Sequence, residues 1–195
     1  LAILEVIWGL LLLALVTSKL VSIKQDLILE EVYEISLNEK FTRLRSSLLL
    51  FRENLGKLII KAEDDSIKKR EISEIYLQVS NFENSIKEMF SYMKKADKDY
   101  FNKDIDTVNV ELIMSSILRS FKKLNELLEI FESKNREWRR DLTVNLMKSC
   151  ISLNDELISQ INACDLMDMK EECKTWKSLS DSLKAMINQK PYMSV

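Results

Sequence analysis

The chain has 195 residues, enough for one domain or for one membrane helix followed by a small domain. Charged residues make up 31% of it and its net charge is −2, which excludes the strong basic field typical of nucleic-acid binding. With only two glycines and one proline, the chain is predicted to be almost wholly α-helical. It contains no histidine, the side chain most used in acid–base catalysis.

The first predicted element is the apolar stretch from Leu1 to Ile23. As a helix it would rise roughly 34 Å, against about 30 Å for the hydrocarbon core of a bilayer. Its only charged residues are Glu5 and Lys19, and Lys19 lies near enough to the end to reach the lipid headgroups. The stretch therefore predicts a membrane-spanning helix. A secretory signal peptide and a buried helix of a soluble protein are the alternatives, although a basic n-region and a small-residue cleavage site are not visible.

Charge around this stretch predicts its orientation. Lys24, Lys40 and Arg43 follow it, and no basic residue precedes it, so the positive-inside rule places the rest of the chain in the cytoplasm. We therefore divide the chain into a transmembrane segment, 1–25, and a cytoplasmic helical bundle, 26–195. The chain begins with leucine in the middle of an apolar run, and we expect it to be a fragment cut close to the start of the span.

One face of the predicted span combines leucines with a hydroxyl group. Its members follow spacings of three and four: Leu10, Leu13, Thr17 and Val21. Such a face suits a narrow water path, and it equally suits an interface with another helix.

The segment L-A-I-L-E-V-I-W-G-L-L-L-L-A-L-V-T-S-K-L-V-S resembles the inner, pore-lining helix of two-transmembrane prokaryotic potassium channels. In that family the helix carries a glycine near its middle and often a small residue about five positions later, which Gly9 and Ala14 match. Residues 15–18 match the cavity segment that follows. The resemblance covers about a tenth of the chain.

The resemblance implies a homotetramer around a pore for monovalent cations, with Gly9 as the gating hinge. The residues implied to line the pore are Leu10, Leu13, Thr17 and Val21. The family's T-x-G-Y-G filter and its outer helix are not among these residues, and we expect them upstream of Leu1.

Beyond the span, apolar residues spaced three and four apart predict long amphipathic helices in an antiparallel bundle or coiled-coil-like array. Ser36–Glu39 reads as a capping box, which either starts a second helix or lies within one long helix. The first seam then comprises Leu37, Phe41, Leu44, Leu48, Phe51, Leu55 and Leu58. Residues 62–66 read as a turn.

Three further long helices are predicted. One over 66–95 carries the seam Ile72, Ile75, Val79, Phe82, Ile86, Met89 and Met93. After a loop at 96–106, the next carries Val110, Ile113, Ile117, Phe121, Leu124, Leu128 and Phe131. After a turn at 133–141, the third carries Leu142, Leu146, Cys150, Leu153, Leu157, Ile161 and Cys164. A short last helix over 166–189 uses Met169, Cys173, Trp176, Leu179 and Leu183.

Enzyme chemistry, cofactors and resident metals are not predicted. The acidic stretch 97–106 offers oxygen ligands but lacks the central glycine of a calcium loop. Three unpaired cysteines without C-x-x-C favour buried thiols in a reducing compartment. Arg136, Arg139 and Arg140 beside Trp138 favour a polar turn with the indole folded onto the bundle, rather than a site for lipid or nucleic acid.

Two functions are compatible with these observations. The first is a subunit of a tetrameric membrane cation channel, most simply for potassium, with a cytoplasmic domain for gating or assembly. The second is a single-span anchor that holds a helical interaction scaffold or sensor at the cytoplasmic face of the cell membrane, without a pore.

Overall fold

A computed structural model describes residues 2–95, 107–163 and 170–188. Within these ranges the chain forms six α-helices and no strands, so the predicted all-α class is confirmed. They are α1 (Ala2–Glu63), α2 (Lys69–Ser73), α3 (Ile75–Lys95), α4 (Thr107–Ser133), α5 (Asp141–Ala163) and α6 (Lys170–Asn188). Contacts divide the chain into two units, Leu1–Thr42 and Arg43–Val195.

Helix α1 is continuous over 62 residues. Ser36–Glu39 therefore lies within one long helix, the second of the two alternatives. The physical reason is that residues 10–55 contain neither glycine nor proline. The predicted limit of the span at residue 25 is a property of the bilayer rather than of contacts within the chain, and it stays a prediction.

In the second unit, α1 and α3 run antiparallel. Three polar pairs join them, and the residue number rises along α1 as it falls along α3. The pairs are Arg43 with Glu88 (2.5 Å), Ser47 with Ser85 (3.1 Å) and Asn54 with Gln78 (3.2 Å). A short connection between the two helices, occupied by α2, is enough for this hairpin.

Three phenylalanines join α1, α3 and α4 in the core. The rings of Phe51 and Phe82 stack with centroids 4.5 Å apart, and Phe121 meets Phe82 edge to face at 4.8 Å. All three side chains are buried. Offset and edge-to-face pairs at these distances add to the stabilisation that comes from removing the rings from water.

The predicted seams over 66–95 and on α4 are confirmed, since all seven residues named for each are buried. The single helix predicted over 66–95 is wrong, because the stretch forms two helices that meet at Glu74, with Ile72 on α2 and the other six seam residues on α3. On α1 the seam from Phe41 to Leu55 is confirmed as well, whereas Leu37 is half-buried and Ile59 rather than Leu58 is buried at its end. The prediction succeeds on these helices because the apolar residues of each follow the 3.6-residue period and so form a single stripe.

The predicted seam of α5 is confirmed at Cys150 and Leu157, which are buried, and is wrong at Leu142, while Leu146 and Leu153 are half-buried. Leu142 is 54% exposed, while Thr143 and Asn154 are buried in the line that also holds Met147 and Cys150. A seam predicted from apolar residues alone omits polar side chains such as Thr143 and Asn154, which become buried where α5 lies between two other helices. Helix α5 packs against both α3 and α6, so its buried face is wider than one stripe.

Helices α1 and α4 end in the same way, next to each other. Asp65 (φ 55°) and Asn135 (φ 50°) adopt the left-handed conformation just after the last turn. Lys134 and Arg136 each reach the carboxylate of Asp65 at 3.1 Å, and their hydrogen bonds lower the pKa of that carboxyl group. The predicted turns at 62–66 and 133–141 are thus confirmed and joined by ion pairs.

Candidate functional site

The predicted pore-facing residues lie on one exposed face of α1. Leu10 and Leu13 are 62% and 66% exposed, and Val21 is 51% exposed. Together with small and polar neighbours they line a shallow open groove along the helix. The full lining is Leu10, Leu13, Ala14, Thr17, Ser18, Val21, Ser22 and Gln25.

Small side chains form this groove. Ala14, Ser18 and Ser22 follow one another at intervals of four, so they stand one above the other on the helix. Helices in lipid approach each other most closely along such lines of small residues. The groove therefore fits a second helix, and its hydroxyl groups equally fit the wall of a water path.

The hydroxyl group of Thr17 is satisfied within the helix. Its Oγ1 donates to the carbonyl oxygen of Leu13 at 2.6 Å. This bond lowers the cost of placing a hydroxyl in lipid, because the donor hydrogen has a partner. The oxygen keeps a lone pair that can face an ion or a water molecule.

Gly9 lies inside the continuous helix α1. A Cβ atom built on it would meet no atom within 4 Å, so no packing contact within the described chain requires a glycine here. Its predicted role as a hinge concerns a second conformation and stays a prediction. The side chain of Glu5, the acidic residue of the span, lies outside the described part of the structure.

The exposed apolar surface extends well beyond the predicted span. Leu27, Ile28, Val32 and Ile35 are all exposed, although Lys24 and Asp26 precede them. Within the described residues, α1 is the one helix long and apolar enough to cross a membrane. Length and composition alone support this, and the apolar window concerned has no residue buried in the protein.

Within the bundle, the buried carboxylate of Glu83 and its partners form a polar cluster between α3 and α5. The sequence pattern did not predict this cluster. Glu83 is buried, forms an ion pair with Lys87 at 2.8 Å and accepts a hydrogen bond from Ser149. Burial alone would raise the pKa of the Glu83 carboxyl group, but the bonds from Lys87 and Ser149 outweigh it and lower the pKa. The signal in the sequence was an acid directly after the buried Phe82.

The thiol of Cys150 lies one residue from Ser149 on the same interface. It is buried, and its sulfur lies 3.9 Å from the carbonyl oxygen of Val79. Burial, together with the charge of Glu83, raises the pKa of this thiol far above its ordinary value. A protonated, enclosed thiol is a poor nucleophile and a poor metal ligand, which fits the predicted role as a buried residue.

The segment after α4 that holds Trp138 and Arg139 packs onto the bundle and contacts α4 and α6. Trp138 is buried, and its Nε1 donates to Glu132 at 2.6 Å. Arg139 bonds the same carboxylate at 2.6 Å, lies 4.9 Å from the Trp138 ring centroid, and donates to the carbonyl oxygen of Met186 near the end of α6. The expectation of a turn with the indole folded onto the bundle is confirmed.

Metal and calcium sites gain no support from the described ranges. No group of three or more potential metal ligands occurs in them. The acidic stretch 97–106 lies outside the described residues, as does Cys164. The candidate site is the exposed face of α1, because it holds the predicted pore-facing residues and the groove beside them.

No family model, no curated protein and no solved structure matches the chain. The potassium-channel resemblance therefore rests on the sequence of residues 1–22.

Proposed function

We propose that the chain is a subunit of a tetrameric membrane channel for monovalent cations, most simply potassium. Residues 1–25 would span the membrane as the inner helix, and the bundle would lie in the cytoplasm as a gating and assembly domain. The observation that supports this most is the grouping of Leu10, Thr17 and Val21 on one exposed face of α1, over a groove of small and hydroxyl side chains.

The proposed mechanism uses the continuity of α1. One helix runs from Ala2 to Glu63, and its last third carries buried residues of the bundle such as Phe51 and Leu55. A rearrangement of the bundle would move the cytoplasmic end of the span near Val21, and the helix would bend at Gly9. Glycine at this position lowers the cost of such a bend.

A second candidate function is a single-span anchor for a helical interaction scaffold. The groove over Ala14, Ser18 and Ser22 favours it independently, because such a surface packs against another helix without any pore. The codons upstream of Leu1 discriminate between the two. A second apolar span followed by a T-x-G-[YF]-G filter supports the channel, whereas a start codon within a few residues supports the anchor.

Ion flux tests the channel directly. We expect the full-length protein, reconstituted in vesicles, to pass potassium, and we expect Thr17→Asp to increase block by cations on the cytoplasmic side, since a carboxylate in the pore attracts them. Thr17→Ser is the matched control and should leave block unchanged. An absence of flux from a protein that carries the filter would remove the channel, and unchanged block in Thr17→Asp would remove Thr17 from the pore.

A further inference from the structure

The part of α1 that follows the predicted span carries exposed apolar residues. Ile28, Val32 and Ile35 are 50%, 58% and 61% exposed. The helix from Ile3 to Ile35 is about 50 Å long, whereas the hydrocarbon core of a bilayer is about 30 Å thick. With Ile3 to Ile23 in the bilayer, the apolar residues after Lys24 face water unless protein covers them.

These residues belong to a seam with coiled-coil spacing. Intervals of three and four alternate along it without a break, through Ser18, Val21, Gln25, Ile28, Val32 and Ile35. This pattern keeps one stripe of a helix facing a partner helix over several turns. The acids Asp26, Glu30 and Glu34, at intervals of four, lie on the opposite side of the helix.

The chemistry of the seam fits an identical helix. The side chain of Gln25 both donates and accepts, so two copies can bond to each other, and the β-branched Ile28 and Val32 pack against themselves. In a parallel, in-register pair, Lys24 flanks Leu29 of the other copy and Glu31 flanks its Ser36. No like charges meet across the seam, although the segment is rich in acids.

We propose that residues 18–35 of α1 bind the same residues of a second copy of this chain, in parallel and in register. The proposal rests on the proposed membrane span, which forces all copies to point the same way, but it does not rest on ion conduction. The seam would carry the contact from the bilayer into the water, with Gln25 at the transition and a dry aliphatic zipper at Ile28, Val32 and Ile35.

Disulfide formation between copies tests the register and the face. The full-length protein is oxidised in native membranes with copper phenanthroline, in the variants Val32→Cys and Glu30→Cys. We expect linked dimers from Val32→Cys at about tenfold the level from Glu30→Cys, since a disulfide needs Cβ atoms about 3.5–4.5 Å apart. The unsubstituted chain, whose Cys150 and Cys173 are buried, gives the baseline.

Equal linking on both faces, or baseline linking by Val32→Cys, would overturn the proposal. A second measurement is independent of cysteine chemistry: Val32→Asp should lower the mass of the detergent-purified assembly, and Glu30→Asp should not. An unchanged mass in Val32→Asp counts against the seam. Flux separates this inference from the proposed function, because linking without flux removes only the channel, and flux without linking removes only the seam.

Discussion

Gly56 occupies a helical position that needs none of the conformational freedom of glycine. It lies in α1 between the buried residues Leu55 and Ile59, and no glycine of the described chain has a positive φ. A Cβ atom built on Gly56 would meet no atom within 4 Å. The residue therefore costs helix stability without a visible return in packing.

We expect Gly56→Ala to raise the free energy of unfolding by about 0.5–1 kcal/mol, because alanine loses less backbone entropy in a helix. Urea unfolding of the full chain in detergent measures it. Leu55→Ala, which empties a fully buried position, should act in the opposite direction by about 2–5 kcal/mol. A loss of stability in Gly56→Ala would mean that another chain approaches the helix closely at this point.

At the scale of the elements, periodicity determined most of the fold. The stripes of α3 and α4 are apolar in every third or fourth residue, so the buried face follows from the sequence alone. The buried face of α5 was predicted less well, because Thr143 and Asn154 are part of it. Polar residues become buried only where neighbouring helices enclose them. The Glu83 cluster was missed for the same reason, since its partner Ser149 comes from another helix.

The Glu83 cluster makes the contact of α3 with α5 sensitive to acid. The pKa of Glu83 is lower in the folded protein than in the unfolded chain, so its contribution to stability is complete above the unfolded value of about 4.3 and is lost as the pH falls through the folded value. We expect Glu83→Gln to lose about 1.5–3 kcal/mol of unfolding free energy at pH 7, the worth of hydrogen bonds to a charged group.

The test compares the unfolding free energy of the two proteins between pH 7 and pH 3. The difference between the original chain and Glu83→Gln should shrink as the pH falls, whereas Glu74→Gln, at an exposed surface pair, should leave the profile nearly unchanged. A difference that stays constant with pH would contradict the role of the ionised carboxylate.

At the scale of the whole molecule, the main feature is the exposed apolar length of α1, which makes it the one helix of the described ranges long and apolar enough to cross a membrane. This property could be predicted from the sequence, because hydropathy and length need no tertiary information. The function of the exposed face could not, since a face that lines water and a face that packs on another helix use the same small and hydroxyl residues. Only partners outside this chain distinguish them.

We expect the full chain to stay in the membrane fraction after extraction at alkaline pH. Replacing Leu12 and Leu15 together by arginine should release it, because each arginine at the centre of a span costs about 2.5–3.5 kcal/mol. The pair Leu49→Arg and Leu50→Arg, exposed positions of the second unit, is the control and should stay bound. Release of the original chain at alkaline pH would remove the span and every proposal that depends on it.

The phenylalanine stack has a consequence for biosynthesis. Phe51 leaves the ribosome roughly 70 residues before Phe121, a delay of about 4–14 s at ordinary translation rates. Helix α3, which carries Phe82, is synthesised within this interval, so at its end the hairpin of α1 and α3 still lacks α4, the helix that carries Phe121. We expect nascent chains to need chaperones until α4 has been synthesised.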